Sequence, residues 1–173
     1  MELKKSFLYL KKMTMTKKPT KMDMEIQNAK SANYELVVRS QDQALAHLFF
    51  HCCYKDEEFN DKEMDALTSK LVNMGLNKEL NIKKEIKNYL SYKDSIQEEL
   101  SFIIYLVTLI SPVHDYALFS SCAELSISDE TYSLEDEELL KNIGNVLQIK
   151  DPEQRTMQHL AMQRRIVRLQ RFF

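Results

Sequence analysis

The sequence predicts an all-α protein, a compact helical bundle of about six or seven helices with an internal pseudo-two-fold repeat. Three observations carry that expectation. The 173 residues include only 2 Gly and 3 Pro, too few for the many tight turns of a sheet protein. Lys, Glu, Leu, Met and Gln are abundant, and each loses little side-chain freedom in a helix. From Gln41 onward apolar residues recur at three- and four-residue spacing, and a shift of 73 residues lays one stretch of the chain on another.

Residues 1–35 read as a flexible basic arm, rich in Lys, Met and Thr and without helical apolar periodicity. Residues 36–149 read as the helical domain and 150–173 as a basic amphipathic C-terminal helix. Within the domain, Leu45, Leu48, Phe49, Cys52 and Cys53 share one face of a first helix. An acidic break from Lys55 to Asn60 follows. Asn60 and Glu63 then resemble a capping pair ahead of Met64, Leu67, Leu71 and Met74, with Gly75 placed to end that helix. A third helix fits Leu80 to Leu90, burying Ile82, Ile86, Tyr89 and Leu90. The fourth, capped by Asp94 or Ser95, is apolar nearly all round from Phe102 to Ile110, so it belongs at the bundle's centre with Leu106 and Val107 buried. Ser111-Pro112 supplies a cap and a first-turn proline for the fifth, which carries Val113, Tyr116, Ala117, Phe119, Ala123 and Ile127. A second acidic break, Ser128 to Ser133, leads to Leu139, Leu140, Ile143, Val146 and Leu147. Asp151-Pro152-Glu153 opens the last helix.

The ungapped 73-residue shift places Ala44-Leu45 on Ala117-Leu118, Asp56-Glu57 on Asp129-Glu130 and Phe59 on Tyr132. It also places Asn60 on Ser133, Glu63 on Asp136 and Leu67 on Leu140. Each copy is an apolar helix, an acidic turn, an aromatic, a polar cap, an acid three residues on, and another apolar helix.

With those residues in view, the chain resembles the TerB-like (tellurite-resistance) family over roughly residues 40–149. Members carry in each half a helix ending in Ala-x-Ala-Asp-Gly, then an acidic or aromatic residue, a Ser/Asp cap and an early Glu. Here the halves read Cys53-Tyr54-Lys55-Asp56-Glu57-Glu58-Phe59-Asn60-Asp61-Lys62-Glu63 and Leu125-Ser126-Ile127-Ser128-Asp129-Glu130-Thr131-Tyr132-Ser133-Leu134-Glu135-Asp136. The turn glycine is Glu57 in one copy and Glu130 in the other, and glutamate tolerates a left-handed turn poorly. The Ala-x-Ala is kept in neither. The resemblance implies a role in stress resistance, divalent-metal binding by acidic residues, and service as an interaction module.

The acidic turns supply carboxylates suited to Ca²⁺ or Mg²⁺: Asp56, Glu57 and Glu63 in one copy, Asp129, Glu130 and Asp136 in the other. An EF-hand is excluded, since Asp61 stands where its glycine and Leu67 where its glutamate would be. Equally, these acids would cap helices and complement the positive dipole end. His47 and His51 lie four apart beside Cys52 and Cys53, a spacing zinc can use, but no third ligand has suitable spacing, and two partly buried histidines in a packed helix is the plainer reading. His114 and Asp115 fit a helix's first turn. With Gly75 and Gly144 as the sole glycines, a phosphate-binding loop is ruled out.

Charge is segregated: the balance is +6 over residues 1–21, −12 over 22–149 and +4 over 150–173. In the C-terminal helix, Arg164, Arg165, Arg168 and Arg171 alternate with Leu160, Ile166, Val167, Leu169 and Phe172. That helix would lay its apolar stripe on the bundle and its arginines on the acidic body. Three unpaired-looking cysteines and the lack of a signal-peptide core or a 20-residue apolar span point to a reduced, cytoplasmic setting. The expectation is therefore a non-enzymatic TerB-like stress-response or protein-interaction module, binding a divalent cation weakly if at all. The alternative is an adaptor whose basic ends bind nucleic acid or an anionic membrane. No nucleophile–base set argues for an enzyme.

Overall fold

Several helices begin where a side chain satisfies the first free backbone N–H groups, while those that start after Glu98 and His114 have no side-chain cap. The computed structural model describes residues 33–54, 61–73, 76, 80–127 and 132–169, and for 33, 54, 61–64, 66, 70 and 167–169 the backbone only. The described helices are α1 (Asn33–Val37), α2 (Gln41–Tyr54), α3 (Asp61–Asn73), α4 (Ile82–Tyr92), α5 (Glu99–Ile110), α6 (Asp115–Ser126), α7 (Leu134–Val146) and α8 (Asp151–Leu169). A 3₁₀ turn, Lys93–Ser95, extends α4. No strand occurs among the described residues.

Ser40 and Gln43 form a capping box at α2: Gln43 N–H donates to Ser40 Oγ at 3.2 Å, and Gln43 Oε1 accepts from Ser40 N–H at 3.2 Å. Asn81 caps α4 by accepting from Lys84 N–H at 3.1 Å. Ser133 and Asp136 make a second capping box at α7. Pro152, in the first turn of α8, lacks only an N–H that would have had no helical partner.

The packing differs from the sequence expectation in one important respect. The strongly apolar α5 is not the hub. That place belongs to α2, which packs against α4, α5 and α6. Every side chain from Ala46 to Cys52 is buried, two histidines included. On α5, Phe102, Ile103, Leu106 and Ile110 are buried, while Val107 is only half-buried and Ser101 and Thr108 face solvent. Around this centre α7 packs on α5 and α6, α8 packs on α6 and α7, and α1 packs on α4.

α1 starts inside the stretch read as an arm. Tyr34 is buried, with its ring centroid 4.9 Å from Phe102 and 5.4 Å from Tyr105. Tyr105 Oη donates to Val38 O at 2.6 Å, and Gln41 Nε2 donates to Ile110 O, so α5 holds the entry to α2 at both ends.

Several local expectations are corrected. Asp94 and Ser95 lie in the 3₁₀ turn, and α5 starts later, after Glu98. Ser111 ends α5 in the left-handed region (φ 44°), donating its N–H to Val107 O at 2.9 Å, and Pro112 stops the helix without opening the next. Val113 is therefore outside α6 and 88% exposed, while Tyr116 and Ala117 face solvent. Leu90 is exposed, and the buried aromatic on that turn is Tyr92. On α8 the packed stripe is Gln154, Met157, Ala161 and Met162, whereas Leu160 and Ile166 point outward.

The α7–α8 corner is a Schellman motif without its usual glycine. Gln148 occupies the left-handed position (φ 59°), with Gln148 N–H donating to Asn145 O at 3.0 Å and Ile149 N–H to Gly144 O at 2.9 Å. A Cβ on Gly144 would stand 2.2 Å from Gln154 Cδ, so the glycine makes room for an amide that donates to Ile149 O at 2.8 Å.

Helix bounds follow the sequence register. α3 and α7 begin and end 73 residues apart, and α6 lies one residue inside the shifted bounds of α2 at each end. Leu67 and Leu140 are both buried, but Ala44 is buried where Ala117 is exposed.

Candidate functional site

The most chemically capable cluster is built on one polar row of the most buried helix. Gln43, His47 and His51 recur every four residues on α2, so they form a single stripe. α4 presents Glu85, Tyr89 and Tyr92 to that stripe, and α5 adds Glu99 from its first turn.

Each histidine is held at both ring nitrogens. His47 Nδ1 meets the Tyr92 hydroxyl, and its Nε2 lies 3.0 Å from Glu85 Oε2. His51 repeats the arrangement, with Nδ1 3.0 Å from Tyr89 Oη and Nε2 3.1 Å from Glu99 Oε1. Glu85 is further held by Gln43 Nε2 (3.3 Å, to Oε1) and Asn88 Nδ2 (3.2 Å, to Oε2). The donors and acceptors match with both rings neutral: tyrosine O–H donates to Nδ1, and Nε2–H donates to a carboxylate.

At His47 the electrostatics agree with a neutral ring. Burial holds the His47 pKa below the ordinary histidine value despite the attraction of Glu85. For Glu85, burial pushes upward, but hydrogen bonds from His47, Asn88 and Gln43 win and keep it below the usual range. Burial and the neighbouring Glu85 charge push the Tyr92 phenol upward, so it remains a donor. A buried carboxylate is tolerated here because neutral donors solvate it.

Neither imidazole has a free lone pair for a metal or a substrate. Among the described residues, no group of three or more His, Cys, Asp or Glu side chains is placed to hold a metal ion. Zinc at His47 and His51 with Cys52 and Cys53 is thus replaced by tyrosine and glutamate partners. Cys52, Cys53 and Cys122 form no disulfide. Cys122 on α6 hydrogen-bonds Cys52 on α2, and that bond followed by burial pushes its thiol well upward, a chemically quiet state.

Of the acidic-turn residues, Asp56, Glu57, Asp129 and Glu130 lie outside the described residues, as do Asn60 and Gly75. Glu63 falls in the first turn of α3. Asp136 is placed fully: its Oδ2 accepts from Ser133 N–H at 2.8 Å and from Ser133 Oγ at 2.9 Å, so its carboxylate closes a capping box. Beside it, burial pushes the Tyr132 phenol up to about 12.

On α8, Arg164 pairs with Glu124 of α6, the one arginine contact to the acidic body seen among the described residues. His114 and Asp115 are exposed at the start of α6, where His114 makes no side-chain cap. No helix among the described residues is long and apolar enough to cross a membrane.

The glutamates and tyrosines of the cluster were not singled out from sequence as its partners. A signal existed: three polar residues at four-residue spacing on an otherwise apolar helix require partners, and Glu85, Tyr89 and Tyr92 share a face of α4. Compared with family models, curated proteins and solved structures, the chain matches none.

Proposed function

We propose that this chain is a non-enzymatic, TerB-like interaction module that acts in a stress response, its two helical hairpins related by duplication. The observation that carries the non-catalytic part is the saturation of both buried imidazoles by tyrosine and glutamate. A ring bonded at both nitrogens inside a core orders helices and offers no base to a substrate. The duplication rests on the 73-residue register of the helix bounds and on α2 packing against α6, its counterpart in the second half. A cytoplasmic setting is part of the same reading and is supported by three cysteines that form no disulfide.

The working surface in this proposal is the outer side of α8. It carries exposed Leu160 and Ile166 with Arg155, Arg164 and His159, and no acidic residue follows Glu153. Partner capture with the full chain tests this, using wild type and Leu160→Asp, with Leu134→Asp as a surface control on α7. A protein bound stoichiometrically by wild type and the control but lost in Leu160→Asp is the expected result. Steeply salt-dependent binding to DNA, RNA or anionic vesicles, with no protein partner, would instead favour the adaptor reading. Unchanged tellurite tolerance in a host deleted for the gene would remove the stress-response part.

A further inference from the structure

The stripe on α2 does more than fill the core, because its hydrogen bonds work for only one protonation state of His47. With the ring neutral, Tyr92 O–H donates to Nδ1 and Nε2–H donates to Glu85. One added proton turns Nδ1 into a second donor. It then faces a hydroxyl that has spent its own hydrogen on the same bond, and two donors meet head-on. Tyr92 can accept only by swinging its hydrogen elsewhere, inside a site where residues 47 and 92 are both essentially inaccessible to water. The mismatch reaches the helix end. Glu85 holds Gln43, and Gln43 Oε1 caps α2 by accepting from Arg39 N–H at 3.1 Å and Ser40 N–H at 3.2 Å.

We propose that the Gln43–Glu85–His47–Tyr92 chain is an acid-sensitive latch that joins α4 to α2 while His47 is neutral and frees α4 when that ring gains a proton. The groups facing His47 make this directional. From α4 they are Glu85, Tyr89 and Tyr92; along α2 the neighbour is His51, itself bonded to Tyr89 and to Glu99 of α5. Tyr34 of α1 and Tyr105 of α5 stand beyond Tyr92. From α6 the titratable group against α2 is Cys122, in contact with Cys52. Glu85 is the carboxylate that attracts the proton, and burial opposes it more strongly.

The sign follows from linkage. A histidine whose folded pKa lies below its unfolded value contributes stability above the unfolded pKa, and loses it as pH falls from there towards the folded pKa. Glu85, held below its ordinary value, loses its contribution at lower pH still, so acid acts in one direction on both groups.

The test is hydrogen exchange of the full chain at pH 7.5 and 5.5, corrected for intrinsic rates, in wild type, His47→Gln and His51→Gln. Glutamine keeps an acceptor and a donor at residue 47 but does not titrate. Protection in the α2 and α4 peptides should fall about tenfold in wild type, the limit for one proton over one pH unit below ~6.5. It should fall as much in His51→Gln and stay within about twofold in His47→Gln. Equal losses in His47→Gln and wild type, or no loss in wild type, would overturn the latch. Ring-carbon NMR of wild-type His47 reads the same step without a variant. A midpoint below the ordinary histidine value, coinciding with movement of α4 amide signals, supports the proposal. A midpoint at or above it, or one that leaves those amides still, overturns it.

Discussion

Replacing Tyr92 by Phe removes one oxygen from the core and almost no volume, which makes it a clean probe of the buried chain. Tyr92 is essentially fully buried, and its hydroxyl is the partner of His47 Nδ1. With the hydroxyl gone, Nδ1 keeps a lone pair that water cannot reach. An orphaned buried acceptor costs ~1–3 kcal/mol. The full range applies here because the ring's other nitrogen is pinned to Glu85 and the imidazole cannot turn away. Taking ~2 kcal/mol and about 2–4 °C per kcal/mol for a chain of this size, the melting midpoint at pH 7.5 should fall by about 4–8 °C. Tyr89→Phe provides the internal comparison. Its histidine partner leads to Glu99, whose side chain is 28% exposed. Water can relax that end of the chain, so about 1 kcal/mol should be lost. Calorimetry or circular dichroism reads both variants. A Tyr92→Phe midpoint within 1 °C of wild type, or a loss no larger than that of Tyr89→Phe, would refute the reasoning. A double-mutant cycle with His47→Gln should show coupling above about 0.5 kcal/mol, as contacting residues do.

Three further outcomes follow from the same structure. Gln148→Gly should raise stability by about 0.5–1 kcal/mol, because a left-handed non-glycine residue costs ~1–2 kcal/mol and glycine's extra chain entropy cancels part of the relief; a lowered midpoint would count against the Schellman corner. Ser133→Ala should cost ~1 kcal/mol with or without millimolar Ca²⁺ or Mg²⁺, since its hydroxyl accepts from Asp136 N–H, whereas a divalent-dependent rise in wild-type midpoint that shrinks in Asp129→Asn would favour cation binding in the acidic turns. Leu106→Lys should cost several kcal/mol by burying an unpaired charge, while the half-buried Val107→Lys lets the ammonium reach water and should cost about 1 kcal/mol, a contrast visible in urea midpoints.

What the sequence determined by itself is whatever depends on near neighbours along the chain. Helix class followed from sparse Gly and Pro and from apolar spacing. The start of α8 at Asp151-Pro152 and the capping pair Ser133–Asp136 are likewise local, since cap and capped N–H lie within three residues. Where two local meanings compete, the sequence could not choose. Ser111-Pro112 serves equally as a helix start or a helix stop, and in the fold Ser111 takes the αL turn that ends α5. The tertiary structure decided which helix sits in the middle. Hydropathy favours α5, but α2 is the hub because Glu85, Tyr89, Tyr92 and Glu99 neutralise the cost of burying two imidazoles. That compensation comes from residues 38–48 positions away, and no window along the chain contains both the cost and its remedy.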